Sequence, residues 1–417
     1  MLPRQSWMFA LVALMCGASC SPQGDEDRET GITPHLGLRL GMEVLLSDSI
    51  ELVQNRRIGL ITNHTGVDRE GRSLIDRLAE HPEVELVALY SPEHGIRGEE
   101  RAGAPISDGV DADTGLPVHS LYGSTRKPTP SMLEDVDVLL FDMQDVGARY
   151  YTYVSTMALA MEAAGENQIP FVVLDRPNPI RGDVVQGNVL RPEYSTFVGK
   201  YPVPMRHGMT PGELARLYVG EFGIAVDLHV VPLTGWTRST GFEATGLPWL
   251  PPSPNIPSVE SALSYPGTCL FEGTPLSVGR GTDRAFQWVG APWLDGASLA
   301  TTLNEYGMQG VRFESAIFTP IGAGDGKFDG QAVQGVRLVV ESNDFDAPQA
   351  AIAMLVESYR ASGADWTWDV AHFDRLAGTD ALRLGIVGGR NVQQLTKGWA
   401  EQIRTFEELR KPYLIYD

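Results

Sequence analysis

Apolar residues in the first half of the chain fall into short, nearly continuous runs, separated by stretches in which they recur every three or four positions. Arg57-Ile58-Gly59-Leu60-Ile61-Thr62-Asn63 reads as a strand, and Leu74, Ile75 and Leu78 share one face of a helix over 73–79. The run from Glu85 to Tyr90 is a second strand, stopped by Pro92 and Gly95. Two more strands follow at 136–142 and 170–175, with a helix over 153–164 between them. Thr210-Pro211-Gly212-Glu213 opens a helix through Tyr218 with a cap residue, proline at the first helical position and a glutamate three residues after the cap. A strand over 228–233 completes the series. Strands alternating with helices on this spacing predict an α/β fold built on a doubly wound parallel sheet.

Beyond Leu233 the pattern changes. Trp249-Leu250-Pro251-Pro252-Ser253-Pro254-Asn255-Ile256-Pro257 excludes regular helix and central strand, because proline lacks an N–H and fixes φ. It predicts a rigid extended segment bordering a groove, with Trp249 and Tyr265 placed either to stack on a sugar face or to anchor packing. The remainder has a strand near 335–340 and helices near 348–360 and 391–406, and reads as a smaller α+β domain. The expected organisation is a sheet domain over 35–235 and a second domain over 236–417 that closes its cleft.

The first residues add a compartment. Arg4 precedes the apolar run from Trp7 to Met15, which is too short to span a bilayer permanently and has the form of a signal-peptide core. Gly17-Ala18-Ser19-Cys20 then has the form of a lipoprotein cleavage site with Cys20 as the lipidated residue; the alternative is an ordinary signal peptide cut after Ala18 or Ser19. On the first reading residues 1–19 are removed, and Ser21 after the cysteine favours the outer membrane where the host has one. Residues 20–34 are polar and charged, with little to bury, and predict a flexible tether. In the mature body only Cys269 remains, so neither an intramolecular disulfide nor a cysteine zinc site is expected. The chain has 417 residues and a formal net charge of -20, which argues against nucleic acid as a partner because no basic patch is available. Oligomeric state is not readable from the pattern.

Each strand of the predicted sheet ends in a polar, turn-rich cluster. These are Asn63-His64-Thr65-Gly66, Ser91-Pro92-Glu93-His94-Gly95, the run Asp142-Met143-Gln144-Asp145-Val146-Gly147-Ala148-Arg149-Tyr150, and Asp175-Arg176-Pro177-Asn178-Pro179. In a parallel sheet the carboxyl ends of the strands point the same way, so the clusters converge on one predicted crevice. There is no G-x-G-x-x-G after the first strand, no P-loop pattern and no G-x-S-x-G elbow. Nucleotide cofactors and serine-hydrolase chemistry are therefore not expected. His64, His94 and His207 lie on separate segments without metal-site spacing, and no metal is expected.

Ser91-Pro92-Glu93-His94-Gly95, the run from Asp142 on through Tyr150-Tyr151-Thr152-Tyr153, Asp175-Arg176-Pro177-Asn178-Pro179, Pro252-Ser253-Pro254-Asn255-Ile256-Pro257, and Glu272-Gly273-Thr274 with Gly279-Arg280-Gly281-Thr282 resemble the exo-β-N-acetylmuramidases. The resemblance runs in order from about Gly37 to the C-terminus. It implies a Rossmann-like domain joined to a smaller α/β domain, with the site between them. It also implies removal of terminal N-acetylmuramic acid from the non-reducing ends of peptidoglycan fragments, and a key acidic residue at Glu93.

Chemistry agrees with that implication. Glycoside cleavage needs a carboxylic acid at the leaving oxygen and a second group to stabilise the oxocarbenium-like centre or activate water. Glu93 is the candidate acid. His94 either orients it and the substrate or turns away to cap the turn. For the second role Glu272 and Asp142 rank first, then Asp145 and Asp175. The lactyl carboxylate of the sugar calls for an arginine fork, with Arg149 or Arg280 ahead of Arg176 and Arg284, unless these pair with neighbouring carboxylates. Asn63, Gln144, Asn178, Asn255 and Tyr150 complete the candidate sugar contacts, the amides serving otherwise to hold loops. A second reading keeps the crevice without catalysis, as a surface lipoprotein that binds wall-derived sugars; the carboxyls at strand ends favour the enzyme.

Overall fold

The apolar runs pair as one mainly parallel sheet. In chain order its strands are β1 (Arg57–Thr62), β2 (Glu85–Ser91), β3 (Gly109–Val110), β4 (Pro117–Ser120), β5 (Val138–Asp142) and β6 (Phe171–Leu174). A separate ribbon of β7 (Gln186–Val189) and β8 (Pro204–Arg206) precedes the last sheet strand, β9 (Leu228–Val231). The spatial order is β3-β4-β2-β1-β5-β6-β9, and only the short β3 runs antiparallel to its neighbour. This computed structural model describes residues 37–98 and 103–417, which fall in a single unit spanning Pro34–Asp417. The expected signal segment, Cys20 and the tether lie outside the described residues.

Both faces of the sheet are buried, which is why its strands read as continuous apolar runs. Successive side chains alternate between two clusters. Ile58, Leu60, Leu89, Val138, Leu140 and Val172 face one side with Met42 and Leu74 from covering helices. Ile61, Tyr90, Leu139, Phe141, Phe171 and Val173 face the other, against Met157 and Leu214. This second cluster continues without a break into the C-terminal half, through Leu263, Phe271, Leu338, Met354 and Phe373. That half contains an antiparallel sheet of β10 (Trp288–Ala291), β11 (Val311–Phe318) and β12 (Val333–Val340), with β12 in the middle. Helices Gly296–Glu305 and Ala347–Ser362 accompany it.

The capping box expected at Thr210 is present, with the Thr210 hydroxyl accepting from the Glu213 N–H and the Glu213 carboxylate accepting from the Thr210 N–H. The single helix expected over 391–406 is two, Val392–Leu395 and Trp399–Arg410. The break falls at Gly398, whose φ of 94° takes the chain out of the helical region. Among the described residues no helix is long and apolar enough to cross a membrane.

Candidate active site

Order reversal in such a sheet lies between β1 and β5, where a ligand crevice is ordinarily found. Here that crevice is filled. Arg176 reaches across it to the carboxylate of Asp142, with Nε at 2.5 Å and a second nitrogen at 2.9 Å, and also donates to the Val67 carbonyl at 3.0 Å. Leu247, Pro248 and Leu250, at the start of the proline-rich segment, help close it, leaving a cavity of about 30 Å³.

The larger opening lies at the end of β2. Pro92 and Glu93 leave the strand, and His94 and Gly95 turn the chain with φ of 74° and 77°. For His94 that left-handed conformation is a strained one, held by its surroundings. The Glu93 carboxylate accepts from the Gly103 N–H at 2.9 Å and from the Thr152 hydroxyl at 2.7 Å. Thr152 occupies the N-cap of helix Tyr153–Glu166, yet its hydroxyl caps nothing there. A group that normally satisfies a helix terminus is instead spent on Glu93. Tyr122 lines the same cavity, and burial followed by the Glu93 charge pushes its hydroxyl up to about 12.

Glu272 lines the same cavity. It sits on the short turn Cys269–Gly273 that follows helix Val259–Thr268. The Arg280 guanidinium donates two bonds to its Oε1, the Nε one at 2.9 Å, and His372 Nε2 lies 3.8 Å from Oε2. Burial alone would push this carboxyl up, but Arg280 and His372 outweigh it and hold Glu272 at about 2. Lys327 pins the turn from behind, donating to the carbonyls of Phe271, Glu272 and Leu276 at 3.1, 3.2 and 3.1 Å. The cavity between the two glutamates holds about 310 Å³ and is also lined by Tyr150, Tyr265, Cys269, Asp325 and His372. Burial pushes the Cys269 thiol well up, so it stays protonated and unreactive.

Of the residues singled out by sequence, Glu93, Glu272, Arg280, Tyr150 and Tyr265 meet at this cavity. The others do not. Asp142 and Arg176 are consumed by each other under the filled crevice. His94 is buried and lines a neighbouring cavity with Ile96, Arg97 and Asp111. Arg149 is no fork for a substrate: it is buried and donates to the carbonyls of Asn188, Val203, Leu376 and Ala377 at 2.7, 3.1, 3.0 and 3.0 Å. Asn63 accepts from the Thr65 N–H and bonds the Tyr153 hydroxyl, and Gln144 donates to the carbonyls of Asp145 and Pro177. Asn178 donates to the Met209 carbonyl and accepts from the Ile180 N–H. Asn255 and Arg284 are half-buried and absent from the cavity lining. Asp145 and Asp175 are buried in loop networks, receiving Gly147 and Gly212 N–H groups respectively. Trp249 packs edge-on against Phe242, and its indole N–H donates to the Ile256 carbonyl, so it is an anchor.

Tyr122, Thr152, His372 and Lys327 join the site without having been singled out. Only two carried a sequence signal, Thr152 at a helix start and Lys327 directly after the glycine-rich run Gly322-Ala323-Gly324-Asp325-Gly326. Among the described residues no group of three or more His, Cys, Asp or Glu could hold a metal ion.

An α/β protein with two carboxylates lining one cavity of this size, one bonded among the described residues only to neutral donors and one held ionised by an arginine, has the parts of a glycoside-cleaving enzyme. Sequence models of the exo-β-N-acetylmuramidase NamZ family match nearly the whole body, the N-terminal one over residues 58–260 and the C-terminal one over 263–416. The chain belongs to that family. It is 45% identical over 401 residues to the peptidoglycan β-N-acetylmuramidase NamZ of Bacillus subtilis, covering 96% of this chain and 95% of that one. Two crystal structures of DUF1343-family proteins from Bacteroides fragilis share its fold, at 38% and 33% identity with TM-scores of 0.84 and 0.73. Each match covers 91% of this chain and 99% of the other.

Proposed function

We propose that this protein is an exo-acting glycoside hydrolase that releases terminal β-linked N-acetylmuramic acid from the non-reducing ends of peptidoglycan fragments. The observation that carries the reading is the meeting of Glu93 and Glu272 across one cavity. The family relationship and the near-complete coverage of the muramidase relative support it. Glu93 protonates the leaving oxygen, steered by Thr152, Tyr122 and the Gly103 N–H. Glu272, fixed by Arg280 and the Lys327 clamp, supplies the negative charge that the oxocarbenium-like centre requires. The cavity has room for one acylated sugar, which fits action at a chain end.

The test is release of sugar from a β-linked N-acetylmuramic acid aryl glycoside and from its N-acetylglucosamine counterpart. Turnover of the muramic substrate alone, abolished in Glu93→Gln, is the expected result. Tight binding of the muramic sugar without turnover by the wild-type protein would sink the hydrolase reading.

The same reading includes export and anchoring through a lipid on Cys20, supported by Arg4, the apolar run 7–15 and the small residues before the cysteine. In a bacterial host, labelled palmitate enters the wild-type chain and not Cys20→Ala; equal labelling of both would remove the anchor.

A further inference from the structure

The cavity has an inside and an outside. Tyr150, Tyr265 and Cys269 on its wall are buried, Glu93 is half-buried, and Tyr122 and Val198 stand at the rim with Phe197 beside them. A terminal sugar held against Glu272 therefore has its scissile bond near Glu93, and the rest of the fragment leaves past Tyr122. At that exit the guanidinium of Arg126 lies over two rings, 4.3 Å from the Phe197 centroid and 5.5 Å from that of Tyr122. The two rings are themselves 5.9 Å apart.

Arg126 is exposed, and no carboxylate among the described residues pairs with it. That is notable in a chain with 53 acidic and 33 basic residues. Stacking on aromatic faces fixes the plane of a guanidinium and leaves its N–H edge for a planar anion. Tyr122 and Glu93 line the same cavity, so Arg126, over the Tyr122 ring, stands roughly a tyrosine ring plus a stacking distance out from the acid. Measured from the scissile oxygen, that is the reach of the second sugar on the leaving side. In peptidoglycan, where muramic acid alternates with N-acetylglucosamine, that sugar again carries a lactyl group, a free carboxylate wherever the stem peptide has been removed.

We propose that Arg126, held on Phe197 and Tyr122, forms a leaving-side subsite that binds the carboxylate of the second muramic residue of the fragment. The inference rests on the muramidase reading above and adds to it a preference for fragment length. A fragment of three sugars gains this contact; one of two does not.

The experiment compares kcat/KM for the trisaccharide MurNAc-GlcNAc-MurNAc and the disaccharide MurNAc-GlcNAc, in wild type, Arg126→Ala and Arg126→Lys, at low and high salt. Wild type is expected to favour the trisaccharide by about tenfold, the size of one charge-assisted hydrogen bond to a carboxylate, and to lose much of that preference at high salt. Arg126→Ala abolishes the preference and its salt dependence, and Arg126→Lys keeps part of both. Because each preference is a ratio within one preparation, an incompletely folded variant does not distort it. A wild-type preference that survives in Arg126→Ala, or no preference in wild type, overturns the subsite while leaving the muramidase reading intact. Failure of wild type on both fragments overturns that reading and the subsite with it.

Discussion

Two arginine–carboxylate pairs in this molecule look alike in sequence and differ in use. Asp142–Arg176 joins the ends of β5 and β6, with side chains only 1% and 4% exposed, under a crevice closed by the proline-rich segment. Glu272–Arg280 lines an open cavity, each side chain 16% exposed. The first pair occupies the place where a sheet of this order usually binds its ligand; the second lies in the other half of the chain. What separates structure from function here is therefore access. A charged pair sealed from solvent holds the fold, and one with a free approach can act on a substrate.

Changes on the two sides should part company. The largest effect belongs to Glu93→Gln: turnover of the muramic glycoside is expected to fall by about 10² to 10⁴, the usual worth of a positioned acid, with the melting temperature little changed. A loss below tenfold would take the open cavity out of the chemistry. Next comes Asp142→Ala, which strands the Arg176 charge and should cost about 3–5 kcal/mol of stability in a denaturant titration. An Asp142→Ala protein as stable as wild type but inactive would reverse the comparison, making the filled crevice the functional one.

The smallest effect is one of pH. Glu272 is held at about 2 in the folded protein against an ordinary 4.5, so its ionised form favours the folded state. Its contribution is complete above the unfolded value and fades as pH falls toward 2. The stability gap between wild type and Glu272→Gln should therefore narrow between pH 5 and pH 3 in thermal melts. A constant gap would mean that Arg280 does not hold the carboxyl ionised. The same shift keeps Glu272 charged across the neutral range, so any acid limb in activity must come from another group.

The sheet was legible because strands buried on both faces announce themselves as unbroken apolar runs, and the helices between them carry ordinary spacing and caps. Short pieces such as β3 and the β7–β8 ribbon were not, since two to four residues hold no period. Glu93 was readable from its place on a turn after a strand, and Glu272 and Arg280 from their motif. The amides misled for a physical reason. Asn63, Gln144 and Asn178 bind backbone with the same atoms that would bind a sugar, and only the folded geometry shows which partner has them. His94 stayed ambiguous until its φ was known. His372 and Tyr122 reach the cavity by tertiary packing of distant segments, which leaves no local trace.

Arg149 has a consequence for anyone recombining this chain with a relative. A chimera joined near residue 260, between the two matched regions, would pair an Arg149 from one parent with the 376–377 turn of the other. That arginine reads backbone oxygens alone, so the exchanged half is free to differ in nearly every side chain around it. The exception is Gly378, at φ 68°, where a Cβ would sit 2.7 Å from Leu190 Cδ1 and 3.1 Å from an Arg149 nitrogen. At this contact the fit of the two halves turns on one missing methyl group, and parents for such a graft can be screened at that position before any is made.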